Sequence, residues 1–350
     1  MEAIRFAERP VGPGHPPYVI AEVGSNHNGD MGLCRRLVDT AAECGAHAVK
    51  FQSWSKKSLI CRAEYARNTA YADAHRHFGS LEQMVEKYQF TPAQHREIAD
   101  HCRARSIDFV STPFAPAEAD LLDELDVPFF KIASMDVNHP VLLEHVARKG
   151  RPVVLSTGMA SLGEVETALA VLRGAGAREI ALLHCISIYP PDPNDVHLNN
   201  IATLARAFDV PVGFSDHTQG TAVPLAAVAA GACILEKHFT LDKDMPGWDH
   251  WVSADPGELR EIVSQADVIR RAMGSFVRTV SPAELEKRKA FRRSIVTARA
   301  VRKGERLTLA DLDFKRPGKS IPPDAYPRVV GRAAARDLDA DQEIAWEDLA

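Results

Sequence analysis

None of the six cysteines (Cys34, Cys44, Cys61, Cys102, Cys185 and Cys233) forms a C-x-x-C pair. Their scatter argues against a zinc-thiolate site or a disulfide framework, so free thiols, mostly in the core, are expected. No apolar run approaches the roughly 18 residues of a membrane span, and residues 1–14 lack an apolar stretch followed by a small-residue cleavage site, so a cytoplasmic protein is the expectation. A basic excess is missing too. The 42 Lys and Arg residues face 47 Asp and Glu, a formal net charge of -5. That balance argues against nucleic acid or a membrane as partner, although local basic groups can still hold a phosphate. There is no low-complexity segment and no internal repeat beyond an alternation of strand and helix patterns.

At 350 residues, 45% of them hydrophobic, the chain is long enough for one large domain followed by a small one. From Tyr18 to about Met273, short apolar runs alternate with longer helical patterns, the signature of parallel strands joined by helices. Strands are predicted over 18–21, 48–51, 108–111, 129–132, 153–155, 180–183, 212–214 and 234–236. Eight strands in this length are what an α/β protein of the (β/α)8 TIM-barrel type requires. Thr91-Pro92 and Asp255-Pro256 read as helix starts, a capping side chain followed by proline at the first helical position. The connection 53–90 is too long to be idle and is expected to form a lid or substrate loop. The barrel domain is placed at 1–273. The charged stretch 274–289 reads as a linker, and 290–350 as a small β-rich domain with strands over 294–297 and 312–315.

In a parallel barrel the active site gathers at the C-terminal ends of the strands, and nearly every predicted strand ends here on a polar residue. In order these are Glu22, Lys50 with Gln52, Thr112, Lys131 with Ser134, Ser156, His184, Ser215 with His217, and Glu236 with His238. Each alone reads as a capping or satisfied polar group; their joint placement carries the functional reading. Two lysines with several hydroxyls at one mouth suit an anion bearing a phosphate and a carboxylate. Phe129-Phe130-Lys131-Ile132 surrounds its lysine with apolar neighbours, so Lys131 needs an anion or becomes a nucleophile with a depressed pKa. His217 and His238 end neighbouring strands and can converge on a divalent ion, though with 14 histidines in the chain two near strand ends can also arise by chance. Glu236 shares its side of the strand with His238 and could orient that ligand or bind a substrate hydroxyl.

These residues sit in motifs that resemble the N-acetylneuraminate (sialic acid) synthase family. They include Ala21-Glu22-Val23-Gly24-Ser25-Asn26-His27-Asn28-Gly29, Val49-Lys50-Phe51-Gln52, Ser111-Thr112-Pro113-Phe114 and Lys131-Ile132-Ala133-Ser134. Further along come Ser156-Thr157-Gly158-Met159, Leu183-His184-Cys185, Phe214-Ser215-Asp216-His217-Thr218 and Glu236-Lys237-His238-Phe239-Thr240. Lys315-Arg316-Pro317-Gly318 is similar to the antifreeze-like (SAF) domain that follows the barrel in that family. The resemblance implies phosphoenolpyruvate on Lys50, Thr112, Lys131, Ser134, Ser156 and Ser215. It also implies a divalent metal, Mn2+ with Mg2+ or Co2+ as alternatives, on His217 and His238, where it polarises the aldehyde of an open-chain N-acyl amino sugar. Glu22 would position or deprotonate water, and Tyr189 and Asp249 would lie near the sugar. Arg316 would reach the active site of a partner subunit, which makes a domain-swapped homodimer the expected assembly.

Some positions depart from the family pattern. Asp136 stands where N-acetylneuraminate-forming members carry Glu, and Ser187 where they carry Asn ahead of the Tyr-Pro pair. Trp248 and the long segment 53–90 differ as well. The sugar is therefore left between N-acetylmannosamine and a 2,4-diacetamido-trideoxyhexose. Two other readings compete with a synthase: a Schiff-base aldolase using Lys131, and a non-catalytic carbohydrate-binding protein using the C-terminal module.

Overall fold

The structure is a computed structural model, and it describes residues 2–72 and 77–350. The chain divides into two compact units, Met1–Gly274 and Ser275–Ala350.

Eight parallel strands build the first unit. They are β1 (Tyr18–Gly24), β2 (Ala48–Ser53), β3 (Asp108–Pro113), β4 (Phe130–Ile132), β5 (Val153–Ser156), β6 (Ile180–Cys185), β7 (Val212–Asp216) and β8 (Ile234–His238). Their hydrogen-bonded order is β3-β2-β1-β8-β7-β6-β5-β4, and the two end strands, β3 and β4, are also in contact, so the sheet curls into the expected barrel. Tyr18, Ile20, Ala48, Val110, Val154, Ala181, Leu183 and Ile234 fill the interior, while the residues between them pack outward against the helices. Gly213 is a glycine of necessity: a Cβ there would come within 2.5 Å of the Ile234 carbonyl oxygen and 2.6 Å of Leu183 Cδ2. A short antiparallel hairpin, Ile4–Phe6 with Arg9–Val11, adds Phe6 to this interior cluster, where it stacks on Phe129 at 4.1 Å between ring centroids.

Helix starts follow the sequence signals. Thr91 and Asp255 accept from the backbone N–H three residues on, and Gln94 and Glu258 reach back in complete capping boxes, which satisfies donors the helix would otherwise leave bare. The 53–90 connection carries three short helices, Lys56–Leu59, Arg62–Arg67 and Leu81–Tyr88. Trp54, Leu81, Met84, Val85, Tyr88 and Phe114 form an apolar cluster there, so this part of the segment has a core of its own. Residues 73–76 of the stretch read as a lid lie outside the described residues. Among the described residues no helix is long and apolar enough to cross a membrane.

The second unit has its own core, built on Ile295, Val301, Leu307, Ile321, Val329 and Ile344. Strands β9 (Ser294–Thr297) and β10 (Leu312–Lys315) pair antiparallel where the turn chemistry placed them. The stretch read as a linker runs into a capped helix, Pro282–Phe291, with every side chain exposed, which narrows the connection without helix or strand to 274–281. The unit also corrects the expectation of no internal repeat. Arg299 donates to Asp311 and Arg336 to Asp348, both at 2.7 Å across twelve residues. The same two aspartates accept from the backbone N–H of Thr308 and Ala345. The repeat escaped the sequence reading because its other matched positions, such as Val301 with Leu338 and Leu307 with Ile344, are similar rather than identical.

Candidate active site

The period-two alternation of the strands brings the polar residues together at the C-terminal end of the barrel. A cavity of about 700 Å3 opens there, lined by Glu22, Lys50, Gln52, Thr112, Lys131, Ser134, Ser156, Ser187, Tyr189, Ser215, His217, Glu236, His238 and Asp249. Fourteen predicted site residues thus face one space. Asp136 is not among its lining residues. It sits in the helical turn Ser134–Asp136 after β4, buried, with Oδ2 unpartnered. Arg316 belongs to the second unit, where its guanidinium lies 5.0 Å from the Phe291 ring centroid.

One reading fails. His184 does not reach the mouth: its Nε2 lies 2.6 Å from the Val196 carbonyl oxygen and its ring packs on Phe214, in the helix layer. The phase of β6 instead turns Leu183 and Cys185 inward, and Cys185 lines the cavity. A parallel strand buried on both faces shows no polar alternation from which to read that phase. Sequence reasoning expected a lid or substrate loop over 53–90 but singled out none of Trp54, Leu81 and Met84, which line the same cavity together with Phe114.

At the floor, two lysines and two carboxylates interleave. Lys50 Nζ lies 2.7 Å from Glu22 Oε2 and 3.8 Å from Glu236 Oε1, and it donates to Thr112 Oγ1 at 3.2 Å. Lys131 Nζ is 3.3 Å from Glu236 Oε1, which also accepts from Ser215 Oγ at 3.2 Å. Gln52 donates to Glu22 Oε1 at 3.1 Å. Burial pushes the Glu22 carboxyl up to about 7 against the pull of Lys50. For Glu236 burial also acts upward, but Lys131, Lys50 and His217 together hold it below the usual carboxylate range. Burial, with Lys50 adding to it, lowers Lys131 despite the nearby Glu236. Ser156 Oγ, Glu236 Oε2 and His238 Nδ1 are buried without a hydrogen-bond partner. Buried polar atoms are normally satisfied, so three leftovers at one cavity mark a place that a polar ligand completes.

His217 and His238 lie with ring centroids 5.4 Å apart, and Tyr189 packs on His217 at 4.0 Å. His217 Nδ1 donates to the Ile186 carbonyl at 2.8 Å, which fixes the ring and leaves Nε2 uncommitted. Burial and the neighbouring His217 hold His238 well below the usual histidine pKa, so its ring is the neutral form a metal requires. Among the described residues no cluster of three or more His, Cys, Asp or Glu could hold a metal ion. A divalent ion held by His217 and His238 alone would need its other ligands from water or substrate.

The chain is 40% identical to the N,N'-diacetyllegionaminic acid synthase of Campylobacter jejuni, over 93% of this chain and 98% of that protein. It is 34% identical to the human N-acetylneuraminate-9-phosphate synthase, over 96% and 94%. The crystal structure of N-acetylneuraminic acid (sialic acid) synthetase from Leptospira borgpetersenii superposes with a TM-score of 0.74 at 34% identity, covering 82% of this chain and 95% of that one. The NeuB family pattern matches residues 37–278 and the SAF domain pattern residues 292–350. With its motifs, barrel and SAF domain in agreement, the chain belongs to the NeuB family.

Proposed function

We propose that this protein condenses phosphoenolpyruvate with an N-acylated amino sugar and water to give a nonulosonic acid and inorganic phosphate. The observation that carries this reading is the buried floor, where Lys50, Lys131, Thr112, Ser215 and the unpartnered Ser156 Oγ converge. Two cations and compact hydroxyls suit an anion carrying both a phosphate and a carboxylate. The sugar is N-acetylmannosamine or a 2,4-diacetamido-trideoxyhexose; the relatives named as legionaminic acid and N-acetylneuraminate-9-phosphate synthases support that general class.

In the reaction, C3 of phosphoenolpyruvate bonds to the aldehyde carbon of the open-chain sugar. Water adds at C2 and loses a proton. The resulting C2–OH, C2–OPO3 centre loses its hydroxyl proton and breaks the C2–OPO3 bond, which leaves a ketone and frees phosphate, while the former aldehyde oxygen takes up a proton. Glu22, held near neutrality by burial and oriented by Gln52, is suited to take the proton from that water. Lys50 and Lys131 hold the anion and stabilise the charge that moves onto the leaving phosphate. His217 and His238 would hold a divalent metal, Mn2+ with Mg2+ or Co2+ as alternatives, which supplies Lewis-acid polarisation of a carbonyl. Tyr189, Ser187, Asp249 and Asp136 belong to the sugar side of this proposal, as does Arg316 supplied by a partner subunit.

The lowered pKa of Lys131 favours one second reading, a Schiff-base aldolase, because a neutral amine is the nucleophilic form. Phosphoenolpyruvate labelled with 18O in the bridging position tests the C–O cleavage, and borohydride with substrate tests the Schiff base. Condensation with C–O cleavage places the label in released phosphate. Label in the organic product, or a covalent adduct trapped by borohydride, contradicts the proposal.

A further inference from the structure

The cavity has two chemically different levels. Its charged groups project from the strands themselves or cluster at the histidines, where Tyr189 packs on His217 and an Asp249 oxygen lies 4.0 Å from His238. Beyond the ends of β2 and β3, and on the loop after β8, the lining becomes apolar: Trp54, Ile60, Leu81, Met84, Phe114 and Trp248. These side chains pack in one cluster, with Trp54 edge-on to Phe114 at 5.9 Å. The only polar atom of the Trp54 side chain donates to the Val85 carbonyl, so it offers no donor to a ligand.

The proposed condensation requires the sugar aldehyde to meet phosphoenolpyruvate on the floor. The rest of the sugar must then extend outward past the strand ends, into a space that this wall bounds on one side. A hydroxyl pressed there gives up its bonds to water without replacement, whereas a methyl group loses only unfavourable hydration. From this we infer that the wall is a specificity determinant, selecting a sugar whose end remote from the reacting carbonyl carries methyl groups. Those groups are a deoxygenated C6 and a second N-acyl group in place of free hydroxyls. The 2,4-diacetamido-trideoxyhexose has both, and N-acetylmannosamine has neither.

This inference rests on the condensation proposed above, and one assay separates the failure of either. Phosphate release is followed with the metal-loaded enzyme, phosphoenolpyruvate and each of the two sugars. The expected kcat/KM is at least about tenfold higher for the 2,4-diacetamido-trideoxyhexose, the scale of one methylene in an apolar pocket. Met84→Gln places an amide in the wall and should cut that ratio about tenfold. Ile60→Thr serves if Met84→Gln does not fold, and the KM for phosphoenolpyruvate reports an intact floor in either variant. Equal use of the two sugars, or preference for N-acetylmannosamine, overturns the inference. A preference that neither variant moves overturns the role of the wall. Release of phosphate with neither sugar overturns the condensation itself.

Discussion

Lys131 and Asp136 lie five residues apart, and the structure gives them opposite circumstances. Lys131 faces the cavity with its Nζ 3.3 Å from Glu236 Oε1, an ion pair that the phosphoenolpyruvate anion would share in this proposal. Replacing it with alanine removes a charge-assisted partner worth about 1.5–3 kcal/mol, so the KM for phosphoenolpyruvate should rise by at least about tenfold. An effect confined to the sugar would show that the lysine serves the other substrate. Asp136 is buried beside the cavity, and burial raises its pKa from 3.8 to about 6. The folded state therefore binds this proton more tightly than the unfolded chain does, and stability falls as pH rises between 3.8 and about 6. Above that window the whole cost of a buried carboxylate remains. Asp136→Asn should remove that slope and raise stability at pH 7 by up to roughly 3 kcal/mol, read by urea unfolding across pH. An unchanged stability with a large loss of activity would instead mean that Asp136 binds substrate.

Among the elements, β7 and β8 position the two histidines of the proposed metal site, and they are joined by a pair that never enters the cavity. Lys237 Nζ lies 2.6 Å from Asp216 Oδ2 and also donates to the Thr218 carbonyl, with both side chains fully buried outside the barrel interior. Lys237→Met leaves the Asp216 carboxylate buried and unpaired, which should destabilise the protein by about 3–5 kcal/mol in denaturant unfolding. A loss below about 1 kcal/mol would show that water or a rearranged strand end compensates. These strands also show what the sequence made legible. All eight strands could be read from runs and spacing, and the inward set Ser215, His217, Glu236 and His238 from its joint placement with the other strand-end polar residues, although Asp216 and Lys237 beside them are polar and face outward. Leu182-Leu183-His184-Cys185 has no such contrast, and only the pairing of Leu183 with Ser156 and of His184 with Phe214 fixes which side chains face inward. The apolar wall was illegible for a related reason. Trp54, Leu81 and Met84 differ from core residues only in lining a cavity, a property of the folded chain.

At the scale of the whole molecule, the chain is two cored units, and Arg316 sits in the one that lacks the charged floor. The proposed homodimer gives this arginine a catalytic task in the partner's barrel. Mixing two inactive variants, Arg316→Ala and His238→Ala, under subunit exchange tests it. Returned activity supports action in trans. A mixture that stays dead shows that arginine and barrel belong to the same chain.

The central claim is that the buried floor binds phosphoenolpyruvate and commits it to condensation with an N-acyl amino sugar. Phosphate and nonulosonic acid measured together in one reaction test it most directly. The account predicts that both form one-to-one only when phosphoenolpyruvate and the sugar are both present. It also predicts that chelator stops the reaction, Mn2+ restores it, and Lys131→Ala weakens it through phosphoenolpyruvate. Phosphate released without the sugar, or a nonulosonic acid formed from pyruvate with no phosphate at all, would contradict it.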